Sequence, residues 1–263
     1  MKSASEIGAF EVLHNIAENP PDLSNIKYCA NCGKELTSNS IRYFNGDGFC
    51  CKDCDIAYSN KIAHGVQIHN VIDSNIPPIY RNTDEAKLRE NLVNPDVLDK
   101  VLSWRMGSQG MAIIGRTGCG KTRAIALLLK RLISVDLVGV NTSLMVYYAG
   151  ELERAIMESF GNKAKSYSEL MRKLENCGLL VIDDFGKEKF TERYEVSVFQ
   201  IFENRTANKL PIIFTTNYKG ETLKARFSDQ NNYEPFSRRL NEFFDRVVFT
   251  RKEINDKSNM RLK

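Results

Sequence analysis

The chain predicts a doubly wound α/β domain on a parallel sheet, preceded by a small cysteine-bearing module. Three observations carry that expectation. A glycine-rich segment, "GRTGCGKT" at 115–122, separates a short apolar run from an apolar-periodic one. Two further apolar runs, Leu179 to Ile182 and Ile212 to Phe214, each end in polar residues. Buried parallel strands do this when their carboxyl ends face a ligand. Finally, five of the seven cysteines, at 29, 32, 50, 51 and 54, fall within 26 positions ahead of these segments.

The cysteines form two close pairs. Cys29-x2-Cys32 and Cys51-x2-Cys54 are separated by 18 residues, a spacing that places four thiolates around one tetrahedral Zn²⁺. Cys50-x3-Cys54 is the alternative second pair; the repeated x2 spacing favours Cys51. Gly33 is available to relax the turn after the first pair, and "SIRYFNGDGFC" alternates around a turn signal, as a β-hairpin does. The pattern is that of a zinc ribbon. Four thiolates leave no open position for substrate, so the zinc is structural and the module reads as partner-docking. Tyr28, Tyr43, Phe44 and Phe49 read as its small core, His14, His64 and His69 as surface or packing residues, and a short helix is expected ahead of it.

The glycine-rich segment follows a strand and opens a helix, the context of a phosphate cradle. Gly115, Gly118 and Gly120, with Arg116, Thr117 and Cys119 between them, let backbone N–H groups point at phosphate oxygens beside the positive end of the helix. Lys121 is expected to reach the β- and γ-phosphates and the Thr122 hydroxyl to hold Mg²⁺. Cys119 reads as a small residue that fits the loop. In "LLVIDDFG", Asp183 is placed to hold Mg²⁺ through water and Asp184 to orient the attacking water. In "KLPIIFTTNYKG", the amide of Asn217 is placed to meet both the γ-phosphate and that water. In "EPFSRRLNEFFDRVVFTRKE", Arg238 and Arg239 precede a strand at Val247 to Thr250. One of them is available to a neighbouring subunit's γ-phosphate; a surface ion pair of Arg238 with Glu242 is the alternative. A helix over 161–177 with Leu170, Met171 and Leu174 on one face, and another over 191–209 burying Val196, Val198, Phe199 and Ile201, complete the domain.

Taken together these residues resemble AAA+ ATPases, and more closely the DnaC/DnaI type of replicative helicase loader, with the IstB-type transposition helpers as near relatives. The resemblance covers roughly residues 70–255 and rests on "IPPIYRNTD", "GRTGCGKT", "LLVIDDFG", "ERYEVSVFQIFENRTANKLPIIFTTNY" and "SRRL". It implies an AAA+ P-loop fold, ATP and Mg²⁺ as cofactors, the "IPPIYR" stretch near the adenine, Asn217 as sensor and Arg238 as arginine finger, though the adjacent Arg239 leaves the register open. Asp184 departs from the Asp-Glu pair that many AAA+ proteins carry at this place. The DnaC-type pattern has no cysteine pairs; zinc-bearing front domains that dock on the helicase occur in the DnaI-like branch. The implied partners are a hexameric replicative helicase, single-stranded DNA and further copies of the chain in an ATP-dependent homo-oligomer. An IstB-like helper on duplex DNA, and an adaptor that binds ATP with little hydrolysis, are the other readings.

Charge and composition narrow the class further. The net charge is +4, and 11 Lys+Arg against 7 Asp+Glu in Lys219 to Lys263 account for the whole surplus. Contacts of such a segment with DNA are electrostatic and salt-dependent. No apolar run approaches the roughly 20 residues that span a bilayer, and the N-terminus lacks a basic start followed by an apolar stretch. The expectation is a cytoplasmic protein with two domains, 1–66 and 67–263, the second entered through "SNIPPIYRN".

Overall fold

The structure, a computed structural model, describes residues 27–37, 41–44, 48–107, 109–161, 163–188, 190–229 and 232–252. The expected N-terminal helix, the turn at 45–47 and residues 253–263 of the basic tail lie outside the described residues. The boundary between two compact units falls between Gln67 and Ile68.

In the first unit, β1 (Ile41–Phe44) and β2 (Gly48–Cys51) pair antiparallel with Ile41 opposite Cys51. Helix α1 (Lys52–Asn75) follows without a break and carries Cys54 in its first turn. Gly33 sits at φ +71, where its N–H donates to the Cys29 carbonyl at 2.8 Å and closes the first cysteine turn. Among the described residues, the buried cluster consists of Cys29, Leu36, Cys50 and Cys51. Tyr28 is 62% exposed, which removes it from the core expected of the aromatics; the side chains of Tyr43, Phe44 and Phe49 lie outside what is described.

The second unit continues with α2 (Pro78–Arg81), α3 (Glu85–Glu90), α4 (Asp96–Leu102), β3 (Gly110–Gly115), α5 (Lys121–Ser134), β4 (Leu144–Tyr148), α6 (Ala149–Gly161), α7 (Lys163–Asn176) and β5 (Leu179–Phe185). It closes with α8 (Glu192–Ala207), β6 (Ile212–Thr216), α9 (Glu221–Lys224), α10 (Tyr233–Phe243) and β7 (Phe244–Phe249). The strands form one parallel sheet in the order β4-β5-β6-β3-β7. β3 thus lies between β6 and β7.

Alternation along the strands feeds two cores. Met111, Ile113, Leu179, Val181 and Ile213 face α5 and its Leu128 and Leu132. Leu180, Ile182, Ile212 and Phe214 face the other way, onto Leu152, Leu174, Ile201, Phe202 and Phe236. This two-sided burial is the doubly wound α/β fold. Two expectations shift. On α8 the buried positions are Tyr194, Glu195, Ser197, Val198, Ile201, Phe202 and Arg205, whereas Val196 is 57% exposed. Two residues turn a helix by about 200°, so Val196 and Val198 cannot share a face. β7 also begins at Phe244, ahead of Val247, because Phe244 and Asp245 already pair with Gly110 and Met111.

Candidate functional site

The site lies at the carboxyl ends of β3, β5 and β6. After β3 the chain turns through Gly118 at φ +80 and Gly120 at φ +97, conformations that side chains adopt only with strain. A Cβ at Gly120 would lie 2.3 Å from Leu88 Cδ1, so a side chain there would also displace that methyl. Cys119 is buried beneath the loop, while Arg116, Thr117 and Gly118 are exposed on its outer side. α5 begins immediately afterwards, leaving its first N–H groups free for an anion.

Lys121, only 5% exposed, donates to the carbonyls of Gly115 (2.9 Å) and Arg116 (3.2 Å) and to Asn217 Oδ1 (2.7 Å). The P-loop cation and the amide at the tip of β6 therefore meet directly. Thr122 Oγ1 donates to Asp183 Oδ2 at 2.8 Å, and Thr215 Oγ1 donates to Asp183 Oδ1 at 2.5 Å. Burial pushes the Asp183 carboxyl up from its ordinary value, against those two hydrogen bonds. A divalent cation would restore the ionised form, and Thr122 with Asp183 offers the hard oxygen donors that Mg²⁺ prefers.

Asp184 takes a different course. The register between β5 and β6 shifts between Ile182 and Phe185, and Asp184 adopts φ +61. Its N–H donates to Thr215 Oγ1 at 2.8 Å, so one hydroxyl serves both acidic residues. Its carboxylate accepts from Lys187 at 3.4 Å, at the edge of hydrogen-bonding distance. Asp184 is thus adjacent to the Lys121–Asn217 and Thr122–Asp183 pairs without bonding to them.

Two clefts flank the start of α5. The larger, about 500 Å³, is lined by Gly118, Gly120, Arg123, Arg251, Lys87 and Asp84. The smaller, about 250 Å³, is lined by Thr122, Asp183, Tyr80, Tyr148, Glu151 and Ile125. Tyr80, from the "IPPIYR" stretch, carries the Arg123 guanidinium 5.6 Å from its ring centroid. Burial, with Asp183 adding to it, pushes the Tyr148 phenol up to about 12, so a neutral donor lies beside the acidic corner.

The two arginines of "SRRL" separate clearly. Arg239 pairs with Glu203 and lies 5.0 Å over the Phe199 ring. Arg238 is exposed on α10, and among the described residues no hydrogen bond, ion pair or ring contact engages it. The alternative pair of Arg238 with Glu242 is therefore not formed.

In the first unit the Sγ atoms of Cys29, Cys32, Cys51 and Cys54 all lie within 4.8 Å of one another. Cys32 Sγ and Cys51 Sγ are 3.8 Å apart. Two thiolates at about 2.3 Å from one tetrahedral Zn²⁺ are about 3.8 Å apart, so the donor set fits that ion. Burial raises the Cys29 thiol, but N–H groups of Cys51, Cys32 and Asn31 bring it down to about 6. Against a lowering hydrogen bond from Asn31, those with Cys32 and Cys51 push the Cys54 thiol up to about 12. Cys50 is fully buried and stands outside the group, because neighbours on a strand point to opposite faces.

Sequence reasoning did not single out Arg251, Tyr148 or Arg226. Arg251 reaches the Gly118 carbonyl at 3.4 Å and Arg226 grips the loop after Asp184. Neither belongs to a motif; only the fold brings them to the site. Thr215 was legible as a polar strand tip, but its bridge between two aspartates was not.

No family model matches the chain. The replicative helicase loader DnaI of Bacillus subtilis is 24% identical over 143 residues, 54% of this chain and 43% of that one. The replicative helicase loader DnaC of Escherichia coli K12 is 28% identical over 109 residues, 41% of this chain and 42% of that one. The chain therefore spans less than half the length of the curated relatives it matches. A crystal structure of DnaI aligns with a TM-score of 0.49 at 19% identity, over 69% of this chain and 94% of that one.

Proposed function

We propose that this chain, which resembles DnaC/DnaI-type helicase loaders, is a Mg²⁺-dependent ATPase that binds a replicative helicase and helps place it on single-stranded DNA. The observation that carries the nucleotide reading is the meeting of Lys121 with Asn217 and of Thr122 with Asp183, four side chains from three parts of the chain. In this reading the loop N–H groups and Lys121 hold the β- and γ-phosphates, with the adenosine in the larger cleft beside Arg123. Thr122 and Asp183 hold the magnesium, whose chemistry is to neutralise charge on the transferring phosphoryl group. Asn217 and Asp184 orient the water. Arg238, free and exposed, is offered to the γ-phosphate of a neighbouring copy in an oligomer.

The zinc-held first unit docks on the helicase, a hexameric ring in this reading, and basic residues toward the end of the chain contact the DNA. The loader assignment rests on similarity to DnaI and DnaC together with the four-cysteine cluster. One observation favours a second reading, a nucleotide-controlled adaptor with little turnover: the Asp184 carboxylate is turned toward Lys187.

The test is binding of the zinc-loaded chain to the replicative helicase of its own host by mass photometry, with ATP and with ADP. A stoichiometric complex that Cys29→Ser abolishes supports the loader and the docking role of the first unit. No complex with either nucleotide overturns the loader reading. Turnover that stays at background with DNA and helicase present selects the adaptor.

A further inference from the structure

The loop after Asp184 is held by one side chain from a distant part of the chain. Arg226 Nε donates to the Gly186 carbonyl at 2.8 Å, and its Nη2 donates to the carbonyls of Glu188 (2.9 Å) and Lys187 (3.4 Å). The planar guanidinium is a rigid fork, so three carbonyls gripped by it move as a unit. Its carbon also lies 5.4 Å from the centroid of the Tyr218 ring. Gly186, at φ +91, packs against the same ring: a Cβ there would come within 2.9 Å of Tyr218 Cδ2.

Tyr218 directly follows Asn217, the acceptor for Lys121. Its N–H donates to Thr216 Oγ1 at 3.1 Å, and that hydroxyl donates to the Phe185 carbonyl at 2.7 Å. The tips of β5 and β6 are therefore tied twice, once through Thr216 and once through Tyr218 and Arg226.

Arg226 also opens the segment that leads into α10. Phe227 is buried against Phe190, Tyr233 and Phe236. The carboxylate of Glu195, only 2% exposed, accepts from Ser228 N (2.7 Å), Ser228 Oγ (2.6 Å) and Asn232 Nδ2 (2.7 Å). Asn232 stands immediately before α10, the helix that carries Arg238. One short stretch thus touches the loop after Asp184 at one end and the base of the Arg238 helix at the other.

We propose that Arg226 is a positioning residue that couples the chain's own phosphate site to the presentation of Arg238. A γ-phosphate that engages Lys121 and Asn217 exchanges the bond between them and shifts the Asn217–Tyr218 tip. Tyr218 transmits the shift to Gly186 and Arg226, and Arg226 to the segment anchored by Glu195 and so to α10. The proposal rests on the reading that Asp184 acts in its own site and Arg238 in its neighbour's.

The test mixes full-length, zinc-loaded variants in equal amounts and measures ATP turnover with DNA and helicase present. Asp184→Asn is impaired only in its own site and Arg238→Ala only toward its neighbour. Their mixture is expected to regain roughly a quarter of wild-type turnover by random assembly in a ring. If it regains none, the inter-subunit reading on which the proposal rests is overturned. Arg226→Ala alone is expected to lose roughly ten- to a hundredfold in turnover with nucleotide affinity held within about twofold. Mixed with Arg238→Ala, it is expected to regain nothing, since its own Arg238 is misplaced. Recovery equal to the Asp184→Asn mixture means that Arg226 serves its own site alone, and overturns the proposal. Arg226→Lys, which keeps the charge but not the fork, repeats the mixing should Arg226→Ala fail to fold; its recovery with Arg238→Ala overturns the proposal equally.

Discussion

The cysteine cluster and the proposed phosphate site gather their residues over very different distances. The four thiolates come from 26 consecutive positions, Cys29 to Cys54. Lys121 and Asn217 are 96 positions apart, and Thr122 and Asp183 are 61 apart. Among the described residues, the first unit's buried cluster is Leu36 and three cysteines, so a zinc held there would bear directly on its stability. The proposed phosphate site instead sits on a sheet with a core on each face. Local spacing suffices where an ion does the organising; long-range convergence needs a prior fold.

The contrast can be broken most forcefully at the proposed zinc site. Chelation should cost the first unit on the order of 10 kcal/mol of apparent folding energy and leave the second intact. Hydrogen exchange reads both at once: protection should vanish at β1 and β2 and persist at β3, β5 and β6. Retained protection in the hairpin would show that the cysteines are not its scaffold. The next largest effect lies in the phosphate site. Lys121→Ala should weaken ATP binding roughly a hundredfold, read by a fluorescent analogue, with the melting temperature nearly unchanged. A large drop in melting temperature would mean that Lys121 is structural.

Two smaller changes sharpen the comparison inside the second unit. Glu188 accepts from the Gly186 N–H (2.8 Å) and the Tyr194 hydroxyl (3.0 Å), yet burial, with Glu153 adding, pushes its carboxyl up to about 7 from an ordinary 4.5. A raised carboxyl value favours the folded state most below about pH 4.5, and that contribution is lost as pH rises through about 7. Glu188→Gln should therefore match wild type near pH 5 and exceed it by on the order of 2 kcal/mol at pH 8, in urea midpoints at the two pH values. Equal midpoints at both would show that Glu188 ionises freely. Thr191 caps α8 by accepting from the Tyr194 N–H at 3.4 Å. Its change to alanine should cost about 1 kcal/mol in thermal unfolding and leave nucleotide binding untouched.

The same division of distances explains what could be read from the sequence. The parallel sheet was legible because Leu179–Ile182 and Ile212–Phe214 are uninterrupted apolar runs with polar ends, a pattern that buried strands impose. The cysteine set was legible from spacing alone, and Cys51 over Cys50 followed from one repeated interval. Helix α1 was not: its apolar residues are scattered, none is buried within it, and periodicity had nothing to register. Val196 was assigned to the wrong face because a hydrophobic residue can stand exposed at little cost. Thr215, Arg226 and Arg251 escaped because their roles depend on partners 32, 40 and 133 positions away, which no local pattern encodes. The freedom of Arg238 beside an engaged Arg239 is likewise a fact of packing, since two adjacent arginines look alike in a string of letters.

The left-handed backbone at Asp184 has a consequence for the paths open to this chain under mutation. Asp and Asn tolerate φ near +60° because their short polar ends bond locally, whereas a longer acid gains no such relief and carries a penalty of about 1 kcal/mol or more. Glu is a single third-base change away from Asp, and it would set a longer carboxylate at the same strand end. Here that step would be resisted by the main chain rather than by the chemistry. A Glu there would require the irregularity at 182–185 to flatten, directly before the loop that Arg226 grips and Tyr218 covers at Gly186. The shorter acid and the kinked strand end therefore depend on each other.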